Sequence, residues 1–426
     1  MRGVVGVGFL FDILVQTGAS RSGALGAEPG TDSTEPSDVA NDLRMVTAAR
    51  SGSSPTLPRS RPRVLVDALS FHPADGGFST GMQKLLSTFA GLKEFDFVVT
   101  HHSRFTAWFA KFGMETYPIR FPFQLRQFAS IALLRRIARR VGADAVFCEN
   151  SALPAVGVPG SVTVHDLYFI TKDAFAGLSW AQRLVGRVYW RGIYLRSLRH
   201  ASVVKAVSQS TADAIRQLPN PPRKVLVVMH RVDRPARTVR AWPRQGEPLR
   251  IIFVGSLVPR RNLPFLLEAM QHVERDWRLD VVGHQWTRTH LSLIAADPRI
   301  VFHGYVSQDK LERFFSECHV IINPAIDEGF SHTIAEAMMR GLLALTSDIP
   351  VFREYVPAEC RFPIDDPRSL ARLIDELDAQ EYARLREAGA RSVEQFSPAA
   401  NAEAHRRLLR VLLGLDENSG GAEGPQ

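Results

Sequence analysis

Two glutamates, Glu328 and Glu336, enclose seven residues in the run Asp327-Glu328-Gly329-Phe330-Ser331-His332-Thr333-Ile334-Ala335-Glu336-Ala337-Met338. The apolar stretch Val320-Ile321-Ile322-Asn323-Pro324 comes just before, so a strand should deliver an acidic, glycine-containing turn into a helix. At a helix start, free backbone N–H groups and the dipole favour an anion. Carboxylates beside such a start suit a ligand that is both polyhydroxylated and phosphorylated. Bland readings stand beside this one. Thr333 and Glu336 match a capping box, in which Glu336 would only satisfy the helix start, and Glu328 has a solvated turn carboxylate as its lesser alternative.

Other segments carry candidate chemistry. Ile251-Ile252-Phe253-Val254-Gly255 is a buried-type strand ending in glycine, and Arg260-Arg261-Asn262 follows before a helix. Two guanidinium groups there could neutralise a diphosphate with bidentate hydrogen bonds, or form a solvated basic loop. Gly76-Gly77, between the first strand and a helix, would permit close backbone approach to a phosphate or make an ordinary turn. His165-Asp166 ends the run Val162-Thr163-Val164, where histidine could donate to a sugar hydroxyl or pair structurally with Asp166. The hydroxyls of Ser208, Ser210 and Thr211 would cap a helix or face a ligand.

The elements needed to position these residues are legible in the hydropathy pattern. Apolar runs at Arg63–Leu69, Asp96–Thr100, Ala143–Cys148, Val162–His165, Ser202–Ala206 and Lys224–Met229 alternate with helical stretches at Met82–Phe89, Phe128–Val141 and Trp180–Leu198. After a Pro/Arg-rich break the alternation resumes from Leu249, through strand candidates Arg278–Val282, Ile300–His303, His319–Asn323 and Leu342–Thr346. Near-continuous apolar strands between helices predict parallel sheets covered on both faces, with ligand sites at strand C-terminal ends facing a cleft between domains. The expected division is a disordered extension over 1–60, a domain over 61–235, a linker over 236–248, a second domain over 249–395, a C-terminal helix over 396–415 packing back on the first domain, and a loose tail over 416–426.

Composition excludes several classes. The 426 residues carry 45% apolar content and a spread net charge of +8, fitting an anionic small ligand or membrane surface and lacking any compact nucleic-acid recognition motif. Three dispersed cysteines, Cys148, Cys318 and Cys360, argue against a disulfide framework or cysteine-rich zinc site and point to a reducing compartment. The thirteen histidines form no close-spaced ligand set, so no metal requirement is expected. No apolar stretch reaches transmembrane length, and Asp12 with the thin positive start argues against a signal peptide.

Taken together, residues 63 to 413 resemble the GT-B-fold retaining glycosyltransferases of family 4, the group with an E-x7-E motif. Glu328 through Met338, Gly341 and Ser347-Asp348-Ile349-Pro350 carry the strongest match; Val254 through Asn262 resembles the donor-phosphate segment, with weaker matches at Gly76-Gly77, His165-Asp166 and Ile364-Asp365-Asp366-Pro367. The resemblance implies an α/β fold of two Rossmann-like doubly wound domains and an enzyme moving a hexose from a GDP- or UDP-sugar donor, with mannose from a GDP-sugar the first guess, and no tightly bound cofactor. It implies that Glu328 contacts the donor sugar and Glu336 the ribose. Arg260 and Arg261 would hold the diphosphate, helped by Gly76, Gly77, Gly255 and backbone groups of Phe330 and Ser331, with His165 near the transferred sugar. A saccharide or lipid-linked acceptor would lie mainly with the first domain. Other readings are a sugar-nucleotide epimerase or hydrolase of the same plan, and a non-catalytic sugar-nucleotide binding module.

The chain departs from the family pattern at several places. Arg261 stands for a lysine, Ser331-His332 for Gly-Leu, His230-Arg231 for Asn-Gly, and Pro398 for a tryptophan. Two basic helical stretches, one with Arg126, Arg135, Arg136, Arg139 and Arg140, the other with Arg183, Arg187, Arg191, Arg196 and Arg199, read as solvated faces or as a peripheral contact with an anionic membrane. The expected location is the cytoplasm, with the inner membrane's cytoplasmic face as the site of any such contact.

Overall fold

A computed structural model describes residues 60–73, 77–171, 180–234, 240–283 and 297–416. The expected N-terminal extension, Gly76 and the C-terminal tail beyond 416 lie outside these residues, as does part of the expected linker. The chain forms two compact units. One comprises Met1–Lys205, Ile215–Leu226 and His405–Gln426, the other Ala206–Ala214 and Val227–Ala404.

The first sheet contains β1 (Arg63–Ala68), β2 (Asp96–His102), β3 (Glu115–Ile119), β4 (Ala145–Cys148), β5 (Gly160–Val164), β6 (Val203–Ala206) and β7 (Val225–Val227), ordered β3-β2-β1-β4-β5-β6-β7. β1 pairs in parallel with both β2 and β4. Strands β1, β2, β4, β5 and β6 are buried because helices cover them, which is why they read as unbroken apolar runs. Among these helices, α1 (Gly77–Gly91) packs Phe89 against Phe97 and Phe147. Helix α2 (Arg126–Val141) buries Leu134, Ile137, Ala138 and Val141, the spacing of one helical face. A continuous helical stretch then runs through α3 (Trp180–Arg187), a π-helical segment Val188–Tyr194 and α4 (Leu195–His200). β3 escaped the sequence pattern because it is a half-exposed strand containing Pro118, at the end of the sheet order.

Next comes α5 (Gln209–Arg216), where the Ser208 hydroxyl accepts from the Thr211 backbone N–H at 3.1 Å and so caps the helix. The second sheet contains β8 (Leu249–Val254), β9 (Trp277–Val282), β10 (Ile300–Gly304), β11 (Val320–Asn323), β12 (Leu343–Ser347) and β13 (Arg361–Phe362), ordered β10-β9-β8-β11-β12-β13. All its neighbouring strands are parallel. Covering helices include α6 (Leu263–Met270), α7 (Gln308–Glu317), α8 (His332–Arg340), α9 (Pro367–Asp375) and α10 (Ala379–Ser392). The last helix, α11 (Pro398–Leu412), begins in the second unit and ends in the first. There His405, Leu408, Leu409 and Leu412 are buried at helical spacing, His405 against Phe89 and Phe147.

Both sheets reverse their winding once, between β1 and β4 in the first and between β8 and β11 in the second. The loops leaving such neighbouring strands run to opposite faces of the sheet and open a crevice at the strand C-terminal ends. Candidate site residues follow these strands in each unit.

Candidate functional site

In the second unit the crevice forms between the loops after β8 and β11. Pro259–Arg261 makes a short 3-10 turn, closed by Asn262 in the left-handed region at φ 53°. The loops are tied together by a backbone bond, Ile326 N–H donating to the Arg260 carbonyl at 2.9 Å. Across this tie both arginines meet Glu328. Arg261 forms a close ion pair with it, and Arg260 Nη1 lies 3.8 Å from its other oxygen. The Glu328 side chain is only 6% exposed, so the sequence reading of a solvated turn carboxylate is overturned. It reads as solvated because its partners lie far away in sequence, on another strand's loop.

The turn carrying Glu328 is held from several sides. Asn323 spans it, its carbonyl oxygen accepting from Ala325 N–H at 3.1 Å and its amide donating to Ser331 Oγ at 3.2 Å. Ser347 donates to the Ala325 carbonyl and Tyr355 to the Phe330 carbonyl. Burial pushes the Tyr355 phenol well above its usual pKa, so it remains a donor. Nothing local in the sequence marks Asn323 or Tyr355, because each acts through the tertiary fold, whereas Ser347 stands in a segment that carries the family resemblance. The two glycines at the strand ends also approach closely. Gly255 N–H donates to the Val282 carbonyl at 2.9 Å, and a Cβ on Gly283 would collide with the Gly255 carbonyl. Gly255 itself has room, since an added Cβ would meet Arg261 Nε at 3.7 Å, an ordinary contact.

Helix α8 starts at His332, and its N-cap is Ser331, at φ 64° and without a side-chain capping bond. The capping box read at Thr333 is therefore wrong: Thr333 already lies inside the helix, and Glu336 is further along its first turns. His332 packs against His230 with ring centroids 4.1 Å apart and the planes tilted by 40°, and both rings contact Phe330. Two departures from the family pattern, about a hundred residues apart in sequence, thus form one aromatic cluster beside the acidic turn.

In the first unit Gly77 opens α1. His165 follows β5, and its Nε2 lies 3.0 Å from the Glu149 carbonyl and 3.7 Å from the Glu149 carboxylate. A carbonyl only accepts, so Nε2 carries the proton and a neutral ring keeps Nδ1 as an acceptor. Asp166, the partner suggested by sequence, accepts from Tyr168 N–H at 3.1 Å. Glu149 follows β4 and was missed. It pairs with Lys205 at 3.0 Å and accepts from Thr163 at 2.7 Å, and all three side chains are buried. A lysine in the middle of β6, a buried strand, was the available signal, because such a charge requires a partner. Asp67 at the C-terminal end of β1 is also buried. Desolvation raises its pKa against hydrogen bonds from Ser151 Oγ and Leu69 N–H. Among the described residues no group of three or more His, Cys, Asp or Glu is placed to hold a metal ion.

The sequence model of the family described as Glycosyltransferase Family 4 matches residues 111–234, and that of Glycosyl transferases group 1 matches residues 248–380. The chain belongs to the group 1 glycosyltransferases of family 4. The chain is 24% identical over 200 residues to the O-antigen chain mannosyltransferase RfbU of Salmonella typhimurium, covering 46% of the chain and 53% of that protein. It spans about half the length of the curated relatives it matches first. Sucrose-phosphate synthase from Thermosynechococcus elongatus superposes with a TM-score of 0.66 at 16% identity, over 84% of this chain and 100% of that one. Anabaena HepE in complex with UDP and glucose superposes at 0.62 and 17% identity, over 82% and 99%. Both Rossmann-like units of this glycosyltransferase are thus those of a GT-B fold.

Proposed function

We propose that the chain is a retaining glycosyltransferase that moves a hexose from a nucleotide-diphosphate sugar to a saccharide or lipid-linked saccharide. The observation that carries this reading is the pairing of Arg260 and Arg261 on Glu328 at the switch point of the second sheet. Two guanidinium charges against one carboxylate leave the trio net positive, ready for a diphosphate that gains negative charge as the sugar departs. Glu328 also keeps both arginines oriented, so little reorganisation is needed when the donor enters. Glu328 contacts the donor sugar hydroxyls, Glu336 the ribose, and the Gly255 loop with the Phe330 and Ser331 backbone lines the phosphates. In the first unit, taken by itself, Gly77 at the start of α1 and His165 after β5 are the residues proposed to face phosphate and sugar.

The acceptor attacks the face from which the nucleotide departs, and a donor phosphate oxygen takes its proton. Glu328 acts electrostatically and forms no covalent bond to sugar. Mannose from a GDP-sugar is the first donor to try, given the mannosyltransferase relative, and UDP-glucose the second, given UDP and glucose in the HepE structure. The three cysteines are buried and free, in keeping with a cytoplasmic setting. The test is incubation with GDP-, UDP- and dTDP-sugars and an acceptor panel, reading nucleotide release and the product anomer by NMR. Retention with loss of turnover in Arg261→Ala is expected. An inverted anomer sinks the retaining mechanism, and nucleotide release without any glycosylated product favours a hydrolase.

A further inference from the structure

Helix α3 has two unlike faces. Its inner side, continued by the π-helical segment, buries Tyr189 and Tyr194, five residues apart as the wider π turn requires. Tyr194 donates to the Thr163 carbonyl at 2.9 Å, and Tyr189 packs edge-on against Phe128 of α2. The helix is thereby fixed to the sheet and to its neighbour through one side. On the other side Trp180 is 78% exposed, Leu184 54% and Val188 54%. These positions recur every fourth residue, and exposed Arg183 and Arg187 lie among them. At 100° per residue the five side chains fill an arc of about 140°. Arg191, also exposed, follows in the π-helical segment, and α2 presents exposed Arg135, Arg136, Arg139 and Arg140.

An apolar stripe ending in tryptophan costs free energy in water, and a stripe threaded with arginines would be costly inside a dry protein interface. One environment satisfies both kinds of side chain. At the headgroup level of an anionic bilayer, the aliphatic groups and indole enter the acyl boundary while guanidinium groups meet phosphates. We propose that the exposed face of α3 is a docking surface for an anionic lipid bilayer, with Trp180, Leu184 and Val188 inserting and Arg183 and Arg187 pairing with lipid phosphates. The helix lies in the interface plane, because no described helix is long and apolar enough to cross a membrane.

The full chain would be floated with phosphatidylcholine vesicles, with and without phosphatidylglycerol. Partition onto the anionic vesicles alone is expected, weakening as salt screens the arginines. Trp180→Ser/Leu184→Ser should lower that partition roughly tenfold or more. Arg183→Glu/Arg187→Glu, which keeps the apolar stripe, should abolish the preference for anionic lipid. Circular dichroism and the thermal midpoint should match wild type, since the altered side chains are exposed. Failure of wild type to bind either vesicle, or equal binding by all three proteins, overturns the assignment. A concentration-dependent dimer that these substitutions dissociate, without vesicle binding, would reassign the face to a second copy. Partition is read without turnover, so the glycosyl-transfer reading is judged separately.

Discussion

Arg261 and Glu328 lie 67 positions apart in sequence and meet because β8 and β11 are neighbours in the sheet. Removing either partner should have different consequences. Arg261→Ala leaves Glu328 with Arg260, so the fold survives while nucleoside-diphosphate binding weakens about tenfold or more, measured by titration calorimetry. Glu328→Ala leaves two arginines competing in one crevice and should cost stability as well as turnover. In the first unit Glu149 and Lys205 make the sharper stability case. Glu149→Gln should destabilise by about 3–5 kcal/mol in denaturant unfolding, because Lys205 is then buried without its counter-charge. The double variant Glu149→Leu/Lys205→Met should recover much of that loss. A double variant no better than the single one would mean that the pair contributes more than mutual neutralisation.

Among elements, the start of α8 separates two explanations that its sequence leaves equal. If Thr333 were the cap, Thr333→Ala would cost about 0.5–2 kcal/mol. With the helix starting at His332, Thr333 is interior and exchange for alanine should change stability by less than about 0.5 kcal/mol. The strand ends make a second contrast. Gly283→Ala must displace the Gly255 carbonyl and should cost at least about 2 kcal/mol, whereas Gly255→Ala meets only an ordinary contact and should fall within about 1 kcal/mol. Thermal denaturation of the two variants side by side checks this order. Reduced donor binding in Gly255→Ala, despite its preserved stability, would then report backbone approach to the phosphates.

For the whole molecule, pH stability should carry the imprint of His319, which precedes β11 and is buried. Burial, then the charge of Arg240, lowers its pKa to about 4. The unfolded histidine binds a proton near pH 6.5, so between there and about pH 4 the unfolded state holds more protons. Stability is therefore fully present above the unfolded value and falls as pH drops through this window, by up to about 3 kcal/mol. Denaturant unfolding at stepped pH should show that slope, and His319→Asn should flatten it. Unbroken apolar strands alternating with amphipathic helices were enough to determine two parallel α/β units, because burial on both faces leaves a sequence signature. The chemistry of the candidate site was legible where charge and glycine follow a strand directly, at Gly255, Arg260, Arg261 and Glu328. Only the tertiary structure decided that Glu328 is paired, that Thr333 is no cap, that His230 and His332 meet, and that Glu149 and Lys205 underlie His165. Each of these depends on which strands become neighbours, and strand order is set by packing across the whole sheet, which no local run of residues encodes.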